Sequence, residues 1–194
     1  IYTGEDTLSL HDALPIYNFK IKFNEFEVKF KTENNLSDLL EIYKYSITLF
    51  ERSILFSKED IAKQIEFIKQ KGSVLKDEDV LFFDFMQVEF FIATSQFDKA
   101  LEICNNHLDT NDLEWKLSFS RGKAACENVL GNKEIASKIL TKNFEIASNL
   151  YGENDARLLP FLIDLLDITP MGNNPSSVKI ETKALKILYC MSSN

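Results

Sequence analysis

The sequence predicts an all-α chain of antiparallel helix pairs, opened by one small β-hairpin. Three observations carry that expectation. Only 6 Gly and 4 Pro are spread over 194 residues, too few for the many turns of a sandwich or barrel. From Leu36 onward, apolar residues recur at three and four positions, the period of a helix with one buried face. Short motifs pairing a small residue with an alanine return at near-regular spacing, as stacked supersecondary units require. With 45% hydrophobic and 27% charged residues, an ordered chain is expected rather than a disordered one.

Residues 1–16, IYTGEDTLSLHDALPI, contain no Lys or Arg, no apolar signal-peptide core and no initiating Met. The stretch TLSLHDALPI resembles translated sequencing-adaptor read-through. Residues 1–16 are therefore expected to be non-native or disordered, with no meaning attached to His11 and with the true amino terminus missing. The next segment, 17–34, alternates strictly: Phe19, Ile21 and Phe23, then Phe26, Val28 and Phe30, separated by Asn24-Glu25. A two-residue turn there predicts a hairpin over about 18–31 with all six apolar side chains on one face.

Residues 35–194 are expected to form one helical domain. Leu36, Leu39, Leu40, Tyr43, Ile47 and Phe50 define a first helix. Ser57 and Asp60 read as a capping box that opens a second, ended by Gly72. Residues 79–94 make a helix apolar almost all round, the pattern of a buried central element. Ser95 with Asp98 reads as the cap of the next, through Ala100, Leu101, Ile103 and Leu108. A further pair covers 113–130 and 133–151, with Gly152 as its carboxyl cap. Helices over 154–168 and 178–191 follow, split by the loop Thr169-Pro-Met-Gly-Asn-Asn-Pro175.

The segment Ser95-Gln-Phe97-Asp-Lys-Ala100 resembles the turn of a tetratricopeptide repeat, and Gly131-Asn-Lys-Glu-Ile-Ala136 matches it with Lys133 in place of the aromatic. Ala100 and Ala136 lie 36 positions apart, near the repeat length of about 34 residues in that family. Ala184 follows 48 positions later, the excess matching a lengthened helix and the loop around Pro170. Asn149-Leu-Tyr-Gly-Glu-Asn-Asp155 resembles the inter-repeat junction of the longer repeats in kinesin light chains. The resemblance spans about 79–191. It implies a right-handed superhelical stack of helix pairs with a concave groove, lined by the first helix of each pair, that holds a protein or peptide. In the Ala100 register the groove positions are Phe82, Phe85, Glu89 and Ile92; in the Ala136 register they are Ser118, Arg121 and Asn128. Arg121 and Asn128 are the expected hydrogen-bonding groups toward a partner's backbone or carboxylate.

The chemistry-bearing residues are sparse. A formal charge of −8 opposes nucleic-acid backbones and anionic membrane surfaces as partners. The most apolar stretch, 80–93, is broken by Asp84, Gln87 and Glu89 and is too short to span a bilayer. Three scattered cysteines, Cys104, Cys126 and Cys190, are unlike a disulfide framework and point to a reducing, cytoplasmic setting. Outside residues 1–16 the sole histidine is His107, which leaves little material for a catalytic triad. Gly122-Lys123 is no phosphate loop, because Leu117 and Ala124 stand where Gly and Ser or Thr are required. Cys104, His107, Cys126 and Cys190 lack paired zinc-ligand spacing, so no metal or other cofactor is expected.

The functional expectation is accordingly a non-enzymatic binding scaffold for a protein or peptide. The alternatives are a regulatory or sensor domain of a larger protein, such as a transcription regulator or kinase, and an enzyme whose site has no motif.

Overall fold

A computed structural model describes residues 10–51, 56–71, 75–169 and 175–192. Among these, nine α-helices follow one another and there is no strand. They are α1 (Leu10–Glu33), α2 (Leu36–Glu51), α3 (Lys58–Gln70), α4 (Asp77–Ala93), α5 (Phe97–His107), α6 (Leu113–Val129), α7 (Lys133–Tyr151), α8 (Leu159–Ile168) and α9 (Pro175–Ser192). A short 3-10 turn, Ala156–Leu158, leads into α8. The chain divides into two compact units, 1–86 and 87–194, and the division falls inside α4.

In the amino-terminal unit the expected hairpin is replaced by α1, which runs through the whole of 18–31. Phe19, Phe23, Phe26 and Phe30 satisfy two periods at once. They alternate with Ile21 and Val28, but they also fall at intervals of four, three and four, one stripe of a helix. Charged neighbours support the helix by about 0.2–0.5 kcal/mol a pair: Lys22 pairs with Glu25 at 2.6 Å and Lys31 with Glu27 at 2.8 Å, contacts made between neighbouring turns. Asn24-Glu25 offers no glycine to turn a hairpin, and a lone hairpin is marginal in water. Phe23 is buried against Phe56 and Tyr43, at ring separations of 4.7 and 6.4 Å, and the Tyr43 hydroxyl donates to Glu27 at 2.6 Å. Phe19 and Phe26 on the stripe remain exposed, as do Ile21 and Val28 off it, so Phe23 alone of the six is buried. Residues 1–9 and Gly72 lie outside the described residues, as do the Pro170 to Asn174 positions of the last loop.

The capping box expected at α3 is present: the Asp60 amide donates to Ser57 Oγ and the Ser57 amide to Asp60 Oδ2. Those contacts, the backbone amide first, hold the Asp60 carboxyl below the usual carboxylate range. Leu39, Leu40, Tyr43 and Ile47 of α2 and Ile61, Ile65 and Ile68 of α3 supply the core of this unit. A buried polar pair, Ser46 Oγ with Gln64 Oε1, joins the two helices.

The carboxyl-terminal unit repeats itself. Val88 and Ala124, Phe90 and Cys126, Ala100 and Ala136, and Cys104 and Leu140 are buried pairs, each 36 positions apart. The turns repeat with the same period. The Gln96 amide donates to the Phe91 carbonyl at 2.7 Å, and the Asn132 amide to the Glu127 carbonyl at 2.8 Å. Each closes a helix end through a left-handed residue, Ser95 at φ 57° and Gly131 at φ 89°. Ser95 is thus the terminator of α4 and not the cap of α5. The N-cap of α5 is Gln96, which makes no capping side-chain bond. The reading failed because a small polar residue two positions before a helix fits both roles.

Each helix packs on its sequence neighbour from α5 through α9, and α8 also packs on α6. The contact that brings α6 against its predecessors is at Gly122. A Cβ built there would lie 2.9 Å from Val88 Cγ1 of α4 and 3.1 Å from Cys104 Sγ of α5. Glycine inside a helix costs about 1 kcal/mol relative to alanine, and here its missing side chain lets the Val88 and Cys104 side chains pack against the α6 backbone.

Two stability predictions follow from this packing. Gly122→Ala should destabilise the fold by about 1–3 kcal/mol despite alanine's higher helix propensity, because Val88 is stiff at χ1 and cannot swing aside. Chemical denaturation measures it, and an unchanged or raised midpoint refutes the close approach. Ser95→Gly should stabilise by about 0.5–1 kcal/mol, since the left-handed cost to a side chain outweighs the extra freedom of the unfolded chain. A loss of stability in the same assay would show that the Ser95 side chain matters more than its backbone.

Candidate functional site

The seven groove positions expected from the sequence are divided between the two units. Phe82 and Phe85 belong to the amino-terminal unit, where the Lys44 ammonium of α2 lies 5.2 Å from the Phe82 ring centre. Glu89 and Ile92 are partly buried on the other half of α4. Ser118, Arg121 and Asn128 share α6. Ser118 Oγ donates back to the Glu114 carbonyl at 3.0 Å, and Asn128 is partly buried in the last turn, its carbonyl accepting the Gly131 amide at 3.1 Å.

Arg121 is engaged within the fold. Its Nε and Nη2 donate to the two carboxylate oxygens of Asp164 on α8, at 2.5 and 3.1 Å, and its guanidinium lies over the Phe161 ring at 5.1 Å. A planar fork bonded to both oxygens and stacked on an aromatic face is the geometry that distinguishes arginine from lysine. Arg121 therefore ties the first helix of one pair to the first helix of the next. The sequence placed Arg121 on the right helix but gave no sign of Asp164, 43 positions away, as its partner.

A second feature was not anticipated. Between α7, α8 and α9 lies an open cleft of about 890 Å³, within the volume range of ligand sites. Phe144, Leu162, Leu165 and Ile180 give it an apolar lining, and Leu162 and Leu165 are themselves buried in the unit's core. One wall carries Lys179, Lys183 and Lys186 of α9, at spacings of four and three that align them along one stripe. The facing side holds Glu145 of α7 and Glu153 of the junction after α7. Lys183 reaches Glu153 at 3.5 Å, the one carboxylate partner that the three lysines have among the described residues. Ser148 Oγ, in the lining, is buried without a hydrogen-bond partner among the described residues. The lysine spacing in LysIleGluThrLysAlaLeuLys was visible in the sequence. What made it a site, the lengthened approach of α9 to α7 across α8, was not.

Glu153 of the lining belongs to the junction after α7, which is fixed by contacts of its own. The Tyr151 hydroxyl donates to Glu114 at 3.2 Å, Gly152 takes φ 94°, and Asp155 accepts the Arg157 amide to start the 3-10 turn. The Arg157 guanidinium lies 4.0 Å from the centre of the Tyr151 ring and pairs with Asp155, whose carboxyl is held down to about 2 by that side-chain contact first.

The remaining reactive groups are quiet. Cys104 and Cys126 are buried free thiols, pushed up to about 12 and about 11, chiefly by burial. His107 stacks on Phe119 with ring centres 4.5 Å apart. Among the described residues, no three His, Cys, Asp or Glu side chains converge as metal ligands do, and no helix is long and apolar enough to cross a membrane.

The Arg121 tie is measurable. A double-mutant cycle of Arg121→Leu and Asp164→Leu should give a coupling of about 1 kcal/mol, because the pair is bidentate yet still about a quarter to a third exposed. Coupling near zero would mean that α6 and α8 are joined by apolar packing alone. Compared with models of known protein families, with curated proteins and with solved structures, the chain finds no match in any of the three.

Proposed function

We propose that this chain is a non-enzymatic scaffold of the tetratricopeptide-like type, which holds a protein or peptide on the surface of stacked helix pairs in the cytoplasm. The observation that carries the reading is the repeated packing in the carboxyl-terminal unit. The 36-residue period of burial and turn geometry makes each helix pair a unit that covers its apolar face only on its neighbours. Such stacks leave long surfaces between helices, and binding to them needs no catalytic group. The two buried free thiols favour a reducing compartment.

Engagement of Arg121 by Asp164 moves the expected partner-facing groups. On α4 and α6 of this unit, Glu89, Ile92, Ser118 and Asn128 remain as groove candidates, and the cleft between α7, α8 and α9 joins them. Selection of the full chain against a displayed random-peptide library tests the proposal. Enriched peptides should bind with dissociation constants in the micromolar range, about −8 kcal/mol, and slow amide exchange in helices of the carboxyl-terminal unit. Failure to enrich any sequence over scrambled controls counts against a peptide-binding scaffold.

A further inference from the structure

We propose that the cleft between α7, α8 and α9 binds a short peptide segment with acidic side chains along one edge and apolar side chains beneath, its acidic edge lying on α9. This rests on the binding-scaffold reading and gives that reading a site and a partner chemistry.

Charge placement carries the argument. The chain is acidic overall, at −8, yet one wall of its cleft presents three lysines within eight residues. Lys179 and Lys186 are exposed, and Lys183, between them, is held by Glu153 at 3.5 Å. A helix rises about 1.5 Å per residue, so the row from Lys179 to Lys186 is roughly 10 Å long. A single-headed amphiphile has one charge to offer such a row. A peptide with spaced carboxylates offers several, at a matching interval.

The apolar lining fixes the other half of the ligand. Phe144 and Ile180, half-buried over the core residues Leu162 and Leu165, leave an apolar floor that a purely charged chain would not cover. A nucleic-acid backbone has no apolar edge to place there, and it would face the carboxylate of Glu145 on the opposite side. Glu145 also sets direction: it repels a carboxylate from α7 and so favours the orientation with the acidic edge on α9. Lysine, a compact charge on a flexible stem, suits a row of separate carboxylates, where arginine suits one planar bidentate partner.

The test uses the full chain and a synthetic fluorescent peptide with glutamates along one face and leucines along the other, read by polarisation. Two further peptides replace every glutamate by lysine or every leucine by serine, and an oligothymidylate serves as the nucleic-acid probe. The acidic amphipathic peptide should bind and weaken with added salt, and both altered peptides should bind at least about tenfold more weakly. Lys179→Glu with Lys186→Glu should cost at least about tenfold in affinity while circular dichroism stays unchanged, since both side chains are exposed. Binding that survives this double substitution overturns the cleft assignment and leaves the scaffold reading intact, with the site elsewhere. Equal binding of the acidic and basic peptides, or tighter binding of the oligothymidylate lost in the same variant, also overturns it. Absence of binding by any probe overturns the inference alone, because the scaffold reading is judged by the unbiased library.

Discussion

The close approach of α4, α5 and α6 at Gly122 is the constraint on which the carboxyl-terminal unit depends. Helix pairs with one apolar face each must bury that face on a neighbour, and the distance of closest approach decides how completely they do so. Removing one side chain at the crossing lets Val88 and Cys104 meet the α6 backbone and leaves Phe90, Ala124 and Cys126 enclosed on either side. The same pressure explains why Ala100 and Ala136, both fully buried, are alanines. What repeats every 36 positions is burial, with a small residue kept in both copies at Ala100 and Ala136.

Once the pairs are stacked, polar groups decide which surfaces remain open. Arg121 and Asp164 close one by tying α6 to α8, with Phe161 beneath the guanidinium. Ser120 and Asn143 make a smaller tie between α6 and α7, where the hydroxyl donates to the Asn143 carbonyl oxygen at 3.0 Å. Asn143 is buried and its Nδ2 finds no partner among the described residues, which offsets part of what the Ser120 contact contributes. The cleft between α7, α8 and α9 is the surface these ties leave open.

Helix positions were largely legible because a period of about 3.6 residues, turn glycines and the Ser57 capping box act within a few residues of each other. The α2 to α7 and α9 spans lie within about three residues of the expected ones at their ends, whereas α8 begins five residues later than expected, after the 3-10 turn Ala156–Leu158. Where local signals were ambiguous, the reading went wrong. The phenylalanines of α1 obey two periods, and the Lys22–Glu25 and Lys31–Glu27 spacings, together with the place Phe23 finds beside Phe56, support the helix. Ser95 was taken for a cap because its left-handed backbone leaves no trace in its identity. The surface was the least legible part. Arg121 looks like a partner-facing cation until Asp164 is brought to it from 43 positions away, and no local pattern encodes that meeting.

The cleft lies where the repeat departs from its 36-residue spacing. Between Ala136 and Ala184 the spacing grows to 48, and the added residues lie in the long α7, the Gly152 to Asp155 junction and the loop before α9. An extra turn of α7 carries Tyr151 to Glu114 and sets Glu153 where Lys183 can reach it. That pair holds one point of α9 against the junction while Lys179 and Lys186, on either side of it, extend from the wall. The room between α7 and α9 is floored by α8, and the positive charge of an acidic chain lies along its edge.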